Sequence, residues 1–412
     1  MDCKKILVIS QNPFDECSNN GKTLLSFFSG YPKDKIAQLY LHEGEPLCKE
    51  FDNFFRITEK DILYNIFGMT KKCGKKISNR VSELIYQESK ETKWKTWPLI
   101  RLMREVVWKL PWNKKELFCW LDKYKPEVIF STCGDTLFTY YLTRLIKKRY
   151  HSSLAVFITD DYIMPRKNID IFWQFKRSLI KKNIKRILKE ANYFFTISEG
   201  MCAEYKKIFQ KKSYVIMNME KITKVNVPSK HSDLVLVYAG NLEYNRDKVL
   251  AELSKIIYQF NLDNKRKVRL ETYTNSSITE NLREKLCLGE NKYGGKLAKK
   301  DLEVKLNEAD IFVHVEAFDK KNIYDTRFSI STKIYEYLSL GKPILAIGPE
   351  NIASMQFLKD TACCINDPKY MEKMLNIILS DEKKRKVLAK KSEELFNAKK
   401  QAKEEFWKIL NE

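Results

Sequence analysis

Residues 329–349 read SISTKIYEYLSLGKPILAIGP. Ser331 and Thr332 are helix-start signals, and Gly341 followed by Pro343 is a stop. Between them Ile334, Tyr337 and Leu338 share one helical face, which predicts packing on a sheet. Lys333 and Glu336 are three apart and share a different face. After the stop comes ILAIG, apolar throughout and of strand length. A strand with no polar alternation is buried on both faces. Helix, tight stop and doubly buried strand together are half of a doubly wound α/β unit.

The same alternation extends both ways. Strand-like runs fall at 234–240, 268–274, 310–318, 342–348 and 361–367 in the second half. In the first half they fall at 5–10, 36–41, 126–132, 154–159, 192–198 and 213–219, with helical patterns between most of them. Residues 220–233 are polar and without period, and read as a linker. The expectation is an α/β chain of two tandem doubly wound Rossmann-like domains facing a central cleft. The first spans 1–225, joined by a C-terminal helix at 398–412, and the second spans 226–397. Ligands in such sheets bind beyond the carboxyl ends of the strands.

The chain has 412 residues, 44% of them apolar, enough for two or three domains with an ample core. No apolar run reaches the roughly 18 residues of a membrane helix, and MDCKKILVIS lacks the pattern of a signal peptide. Ten cysteines form no C-x-x-C pair, and His42, His151, His231 and His314 are far apart. That argues against a zinc site or disulfide framework and for a reducing, cytoplasmic setting. The formal charge is +22, which implies an anionic partner: nucleic acid, an anionic membrane face or phosphate-bearing ligands.

The N-terminus of the 331–340 helix offers free N–H groups and a positive dipole end. Ser331, Thr332 and Lys333 would add donors for a diphosphate, and Glu336 could accept from two ribose hydroxyls. The same residues also describe an ordinary capped helix with Lys333 and Glu336 paired on its surface. A second polar stretch, CSNNGKTLL at 17–25, contains Gly-Lys-Thr, but a P-loop needs a glycine where Glu16 stands. Following the first strand, it reads as a loop in which Gly21 admits a ligand and Asn19, Asn20 and Lys22 donate. A solvent-facing turn is the alternative. Asp160 and Asp161 end a strand and are the candidate catalytic base, or else caps of the next segment. Asp135 is a lesser candidate, and His314 reads as structural.

Residues 331–349 closely resemble the nucleotide-sugar segment of GT-B glycosyltransferases of the family-four type found in bacterial polysaccharide clusters. Residues 196–209, 237–253, 291–318 and 157–162 fit other parts of that family in order, specifically from about residue 190 onward and loosely before. The resemblance implies a nucleoside-diphosphate sugar donor, with uridine as the expected base, and no metal or other cofactor. It implies that Glu336 holds the ribose, and that Ser331, Thr332, Lys333 and Arg246 hold the diphosphate, with Gly21 nearby. It places Gly295, Lys296 and Leu297 at the base and Glu316 near the donor sugar. Two departures stand out. The family's Glu-x7-Glu pattern would put an acid at Phe328, and the arginine common after Gly240 is Asn241. Arg246 or Lys248 would take over that arginine's work.

Residues 94–121 hold five of the seven tryptophans, interleaved with Lys and Arg. Residues 172–189 carry seven basic residues and no acid on a helical apolar period. Such segments resemble interfacial membrane helices, or pack on the first sheet with solvated charges. A membrane reading suits a peripheral enzyme at the inner face whose acceptor is a glycan or polyprenyl-lipid-linked sugar. No DNA- or RNA-binding motif is present, so nucleic acid is not the expected partner. Two other readings remain open: a nucleotide-sugar epimerase of the same fold, and a non-catalytic protein binding anionic glycans or nucleic acid.

Overall fold

The structure is a computed structural model that describes residues 3–16, 19–77, 104–165, 171–219, 221–225, 233–265 and 267–412. The chain divides into two compact units, Met1–Asn218 with Glu404–Glu412, and Met219–Lys403.

Among the described residues the first unit has eight strands: β1 (Ile6–Ser10), β2 (Ile36–Tyr40), β3 (Phe54–Arg56), β4 (Lys75–Ile77), β5 (Val128–Thr132), β6 (Ser153–Ile158), β7 (Tyr193–Thr196) and β8 (Tyr214–Val215). Their order is β4-β3-β2-β1-β5-β6-β7-β8, parallel except for β3 against β4. The second unit has six parallel strands: β9 (Leu234–Ala239), β10 (Val268–Tyr273), β11 (Lys292–Gly295), β12 (Ile311–Val315), β13 (Ile344–Ile347) and β14 (Cys363–Ile365), in order β11-β10-β9-β12-β13-β14. Central strands β1 and β9 are buried along their whole length. That burial is why their sequences show no polar alternation. Strand order reverses at β1/β5 and at β9/β12, and a crevice at the carboxyl ends follows from each reversal.

Three strands were not expected from the sequence. β3, β4 and β11 are three or four residues long at or near the sheet edges. Of the expected base-binding stretch 295–297, Gly295 ends the edge strand β11. The stretch 17–25 also differs: the helix Asn19–Phe28 begins inside it. Its glycine has a packing reason. A Cβ on Gly21 would lie 2.5 Å from Pro13 O and 2.7 Å from Asp15 Cβ, so the close approach is to the chain's own loop.

The helix Glu382–Asn411 ends in the first unit. There Phe406 packs 5.2–5.9 Å from the rings of Phe27, Phe28, Phe130 and Phe195. Asn411 Oδ1 accepts from Lys4 N and from the Tyr31 hydroxyl.

The tryptophan-rich segment is partly core. Residues 94–103 lie outside the described residues, but Trp108, Trp112 and Trp120 are buried. Trp108 stacks on Phe138 at 4.0 Å and Trp120 on Phe55 at 5.1 Å. These three rings therefore face the protein interior, which corrects the picture of a tryptophan face turned to lipid. In the helix Ile171–Glu190, Ile180, Ile184, Ile187 and Leu188 are buried at helical spacing.

Candidate functional site

In the second unit the candidates Arg246 and Glu316 meet at the carboxyl ends of β9 and β12. β9 ends at Ala239, and residues 240–245 lead into the helix Arg246–Asp263. Tyr244 and Asn245 both have positive φ, 59° and 60°. Two left-handed residues in succession are costly outside glycine. They turn the chain so that Arg246 opens the helix.

Arg246 Nη2 and Nε donate to Glu316 Oε2 at 2.9 and 3.2 Å, and Nη1 donates to Asn241 Oδ1 at 2.6 Å. Glu316 directly follows β12 and is sealed from solvent. Its other oxygen stands 3.3 Å from His314 Nε2. That contact lies outside good hydrogen-bond geometry, since His314 Nε2 has no hydrogen-bond partner among the described residues. Burial pushes the Glu316 carboxyl up, but His314 and the Arg246 guanidinium outweigh it and hold it below the usual glutamate range. Burial likewise works to lower Arg246, and the Glu316 charge raises it instead.

The helix Thr332–Leu340 starts beside this pair. Ser331 is its N-cap but makes no side-chain cap bond. The preceding loop is held because Ser354 Oγ donates to Ser329 O at 3.0 Å while standing 3.4 Å from Glu316 Oε1. One turn in, Lys333 Nζ donates to Glu336 Oε2 at 2.8 Å. The pair is not on an open surface: the Glu336 side chain is only 3% exposed and that of Lys333 23%. Tyr337 fixes the helix to the sheet. Its ring stacks on Phe312 at 4.4 Å, and its hydroxyl oxygen accepts from Ala239 N at 2.9 Å. Gly341 closes the helix at φ 62°, where a Cβ would run into Glu393.

Gly295, Lys296 and Leu297 lie at the far edge of the same sheet. Gly295 has φ +63°, and a Cβ on Gly294 would lie 2.2 Å from the Tyr273 ring. Leu297 packs on the core, and Lys296 is exposed.

In the first unit Asp160 and Asp161 part company. Asp160 is exposed. Asp161 is buried, and its Oδ1 accepts from Ile163 N and Met164 N at 3.2 and 2.9 Å. Arg177 Nη2 adds a contact at 3.4 Å. Asp161 thus builds the turn after β6. Asp135 follows β5, at the switch point of its own sheet. Lys176 Nζ stands 3.9 Å from it and 3.8 Å from Glu105 Oε1, with Lys176 and Glu105 both buried. Both Glu105 oxygens accept from Leu137 N at 3.0 Å, at the start of the helix Leu137–Tyr150.

Sequence reasoning put Tyr337 on the sheet-facing side of its helix, as found, but missed its hydrogen bond to Ala239, the Arg246–Glu316 pairing and the Glu105–Lys176–Asp135 cluster. Each joins residues remote in the chain and leaves no periodic trace. One local signal was available: Asn245 before Arg246, since asparagine tolerates the left-handed conformation. Among the described residues no group of three or more His, Cys, Asp or Glu side chains is placed to hold a metal ion. Among the same described residues no helix is long and apolar enough to cross a membrane.

The two sheets, each flanked by helices, define a GT-B fold of tandem Rossmann-like domains. Solved structures across the chain's whole length share it. TarM matches with a TM-score of 0.61 at 11% identity, over 99% of both chains. The E. coli trehalose-6-phosphate protein bound with UDP-2-fluoro glucose matches at 0.61 and 10%, again over 99% of both. HepE of Anabaena, in complex with UDP-glucose, matches at 0.58 and 12%, over 98% of this chain and 99% of that one. No family model and no curated protein matches the chain by sequence.

Proposed function

We propose that the protein is a glycosyltransferase. It moves a sugar from a nucleoside-diphosphate sugar to a glycan or polyprenyl-lipid-linked acceptor in cell-surface polysaccharide synthesis, and works in the cytoplasm at the inner face of the membrane. The Met219–Lys403 unit takes the donor, a UDP-sugar, and the Met1–Asn218 unit the acceptor. The observation that carries the reading is the Lys333–Glu336 pair, with a buried carboxylate and a partly exposed ammonium, one turn inside a helix whose N-terminus lies at the carboxyl edge of the second sheet.

In this reading Ser331, Thr332 and Lys333 hold the diphosphate with the helix N-terminus, and Arg246 supplies a second cation. Charge grows on the leaving nucleoside diphosphate as the glycosidic bond breaks. Preorganised cations and N–H groups stabilise that charge without reorganising. Glu336 holds the ribose, and the chain at Gly295, Lys296 and Leu297 meets the base. Glu316 takes a different part from contact with the sugar. With one oxygen on Arg246 and the other beside His314, it positions the guanidinium. On the acceptor side Asp160 is the better placed base, because it is exposed, with one oxygen accepting from Asp161 N, while Asp161 is buried in its turn.

The test is thermal stability against a panel of nucleoside diphosphates and their sugars. A ligand at a hundred times its Kd adds about 2.7 kcal/mol to the folded state. The wild type should gain a clear Tm shift with one nucleotide, and Glu336→Ala should lose it. Absence of any nucleotide shift, with tight binding of polyanions instead, would overturn the reading in favour of a non-catalytic binder. Conversion of the sugar at one carbon without transfer would identify an epimerase.

A further inference from the structure

With Trp108, Trp112 and Trp120 buried, the surface left for a membrane is a different one. In the Met1–Asn218 unit the exposed large apolar side chains concentrate on three segments. Phe67 is 71% exposed and Met69 69%, on a run from Phe67 to Lys72 in which every residue is exposed. Val106 and Leu110 form the second group, and Phe172 and Phe175 the third. In the other unit exposed apolar residues are scattered, as at Leu262, Val304, Tyr370 and Val387.

The segments are tied side by side. Asn113 N donates to Asn65 Oδ1 at 2.8 Å, and Asn113 Nδ2 donates to Lys71 O at 3.1 Å. Lys176 stands 3.8 Å from Glu105, which brings the start of the helix Ile171–Glu190 beside residues 104–110. Stacking of Trp108 on Phe138 holds the middle segment from behind.

Charge identifies the occupant. Residues 62–77 contain four lysines and no acid, 106–115 three lysines and no acid, and 171–189 seven basic residues and no acid, of which Lys176 is buried and Arg177 is paired with Asp161. The carboxylates bordering the first segment are already engaged. Glu59 accepts from Arg104, Asp61 closes a capping box with Thr58, and Glu43 meets Lys60. Lys71, Lys72 and Lys109 are exposed next to the apolar tips. Apolar tips ringed by cations suit a layer with an apolar interior and an anionic skin. Exposed apolar side chains gathered on neighbouring segments in this way point to an interaction surface.

We propose that this face, led by Phe67 and Met69, docks the chain on an anionic lipid bilayer, with the tips among the acyl chains and the lysines at the headgroup phosphates. The inference deepens the membrane part of the proposed function and needs no turnover to be tested.

The experiment is sedimentation with phosphatidylcholine vesicles with and without phosphatidylglycerol. It uses the full chain and its variants Phe67→Ser/Met69→Ser, Lys71→Glu/Lys72→Glu and, as a control, Val387→Ser. These sites are exposed, so folding is retained and is checked by circular dichroism. Wild type and control should bind only the anionic vesicles, and each double variant should bind about tenfold more weakly. Equal binding by the double variants and the wild type would overturn this location while leaving membrane attachment standing. A wild type that binds neither vesicle would overturn both, while the nucleotide shift still reports on the donor site. If Phe67→Ser/Met69→Ser instead dissociates a dimer without changing lipid binding, the face belongs to a second copy and the proposal fails.

Discussion

Glu316 in one unit and Glu105 in the other are both closed off from solvent, and each faces a cation. Glu316 has Arg246 at 2.9 Å on one oxygen and His314 at 3.3 Å on the other. Glu105 has Lys176 at 3.8 Å and a shared backbone N–H. Burial pushes both carboxyls up. At Glu316 the neighbours win and the pKa falls. At Glu105 burial wins over Leu137 N and Lys176, and the pKa rises. The difference is geometric. At Glu316 the His314 ring and the Arg246 guanidinium both reach the carboxylate, within 3.3 and 2.9 Å, while at Glu105 the ammonium stands off at 3.8 Å and gives only a through-space attraction. Burial alone does not decide a carboxyl's ionisation; a cationic partner at contact distance does, and one neutral backbone N–H is not enough.

The largest expected effect is on the cation. Arg246→Met leaves the Glu316 charge sealed in the interior and should cost about 3–5 kcal/mol, read as a lower urea midpoint. Lys176→Met should lower the midpoint less, because the Glu105 carboxyl, pushed up by burial, can take a proton once the ammonium is gone. Equal losses in the two variants would break the comparison. The pH profile gives a smaller effect with opposite signs. Glu316 contributes stability at pH values above the ordinary glutamate pKa, about 4.3. That contribution fades as acid takes the pH through its lower native value. Glu105 behaves in reverse: its contribution is lost as pH rises from the ordinary value through its raised native one. Urea denaturation across pH 3–8, on the order of the carboxylate titration range, should show Glu105→Gln flattening that upper loss and Glu316→Gln flattening the acid one. The smallest effect is at Ser354. Ser354→Ala removes its bond to Ser329 O and should cost about 1 kcal/mol.

The sequence made the backbone plan readable for most strands buried on both sides; β3, mostly buried but only three residues long, was missed. ILAI at 344–347 and LVLVYA at 234–239 are apolar because nothing polar could be satisfied there. β4, with two exposed lysines, and β11, with two glycines, carry no such imprint, and they went unseen. The start and stop of the helix Thr332–Leu340 were also readable, since caps and glycine stops are local chemistry. How its charged residues are used was not. Whether Glu336 is buried depends on the sheet beneath it, and Glu316 meets an arginine seventy residues away. The 94–121 segment failed for a related reason: a tryptophan beside lysines is compatible with a lipid face and with a core, and only Phe138 and Phe55 decide between them.

The last turns of the helix Glu382–Asn411 supply Phe406, Leu410 and Asn411 to the unit that begins at the N-terminus. Domains generally fold in the order in which they leave the ribosome. Here the earlier unit waits, its Phe27, Phe28, Phe130 and Phe195 without their central ring, while the whole of the later unit is synthesised. Quality control during translation would meet an unfinished first domain beside a finished second one. A stop codon shortly before position 404 would wound the beginning of the protein rather than its end.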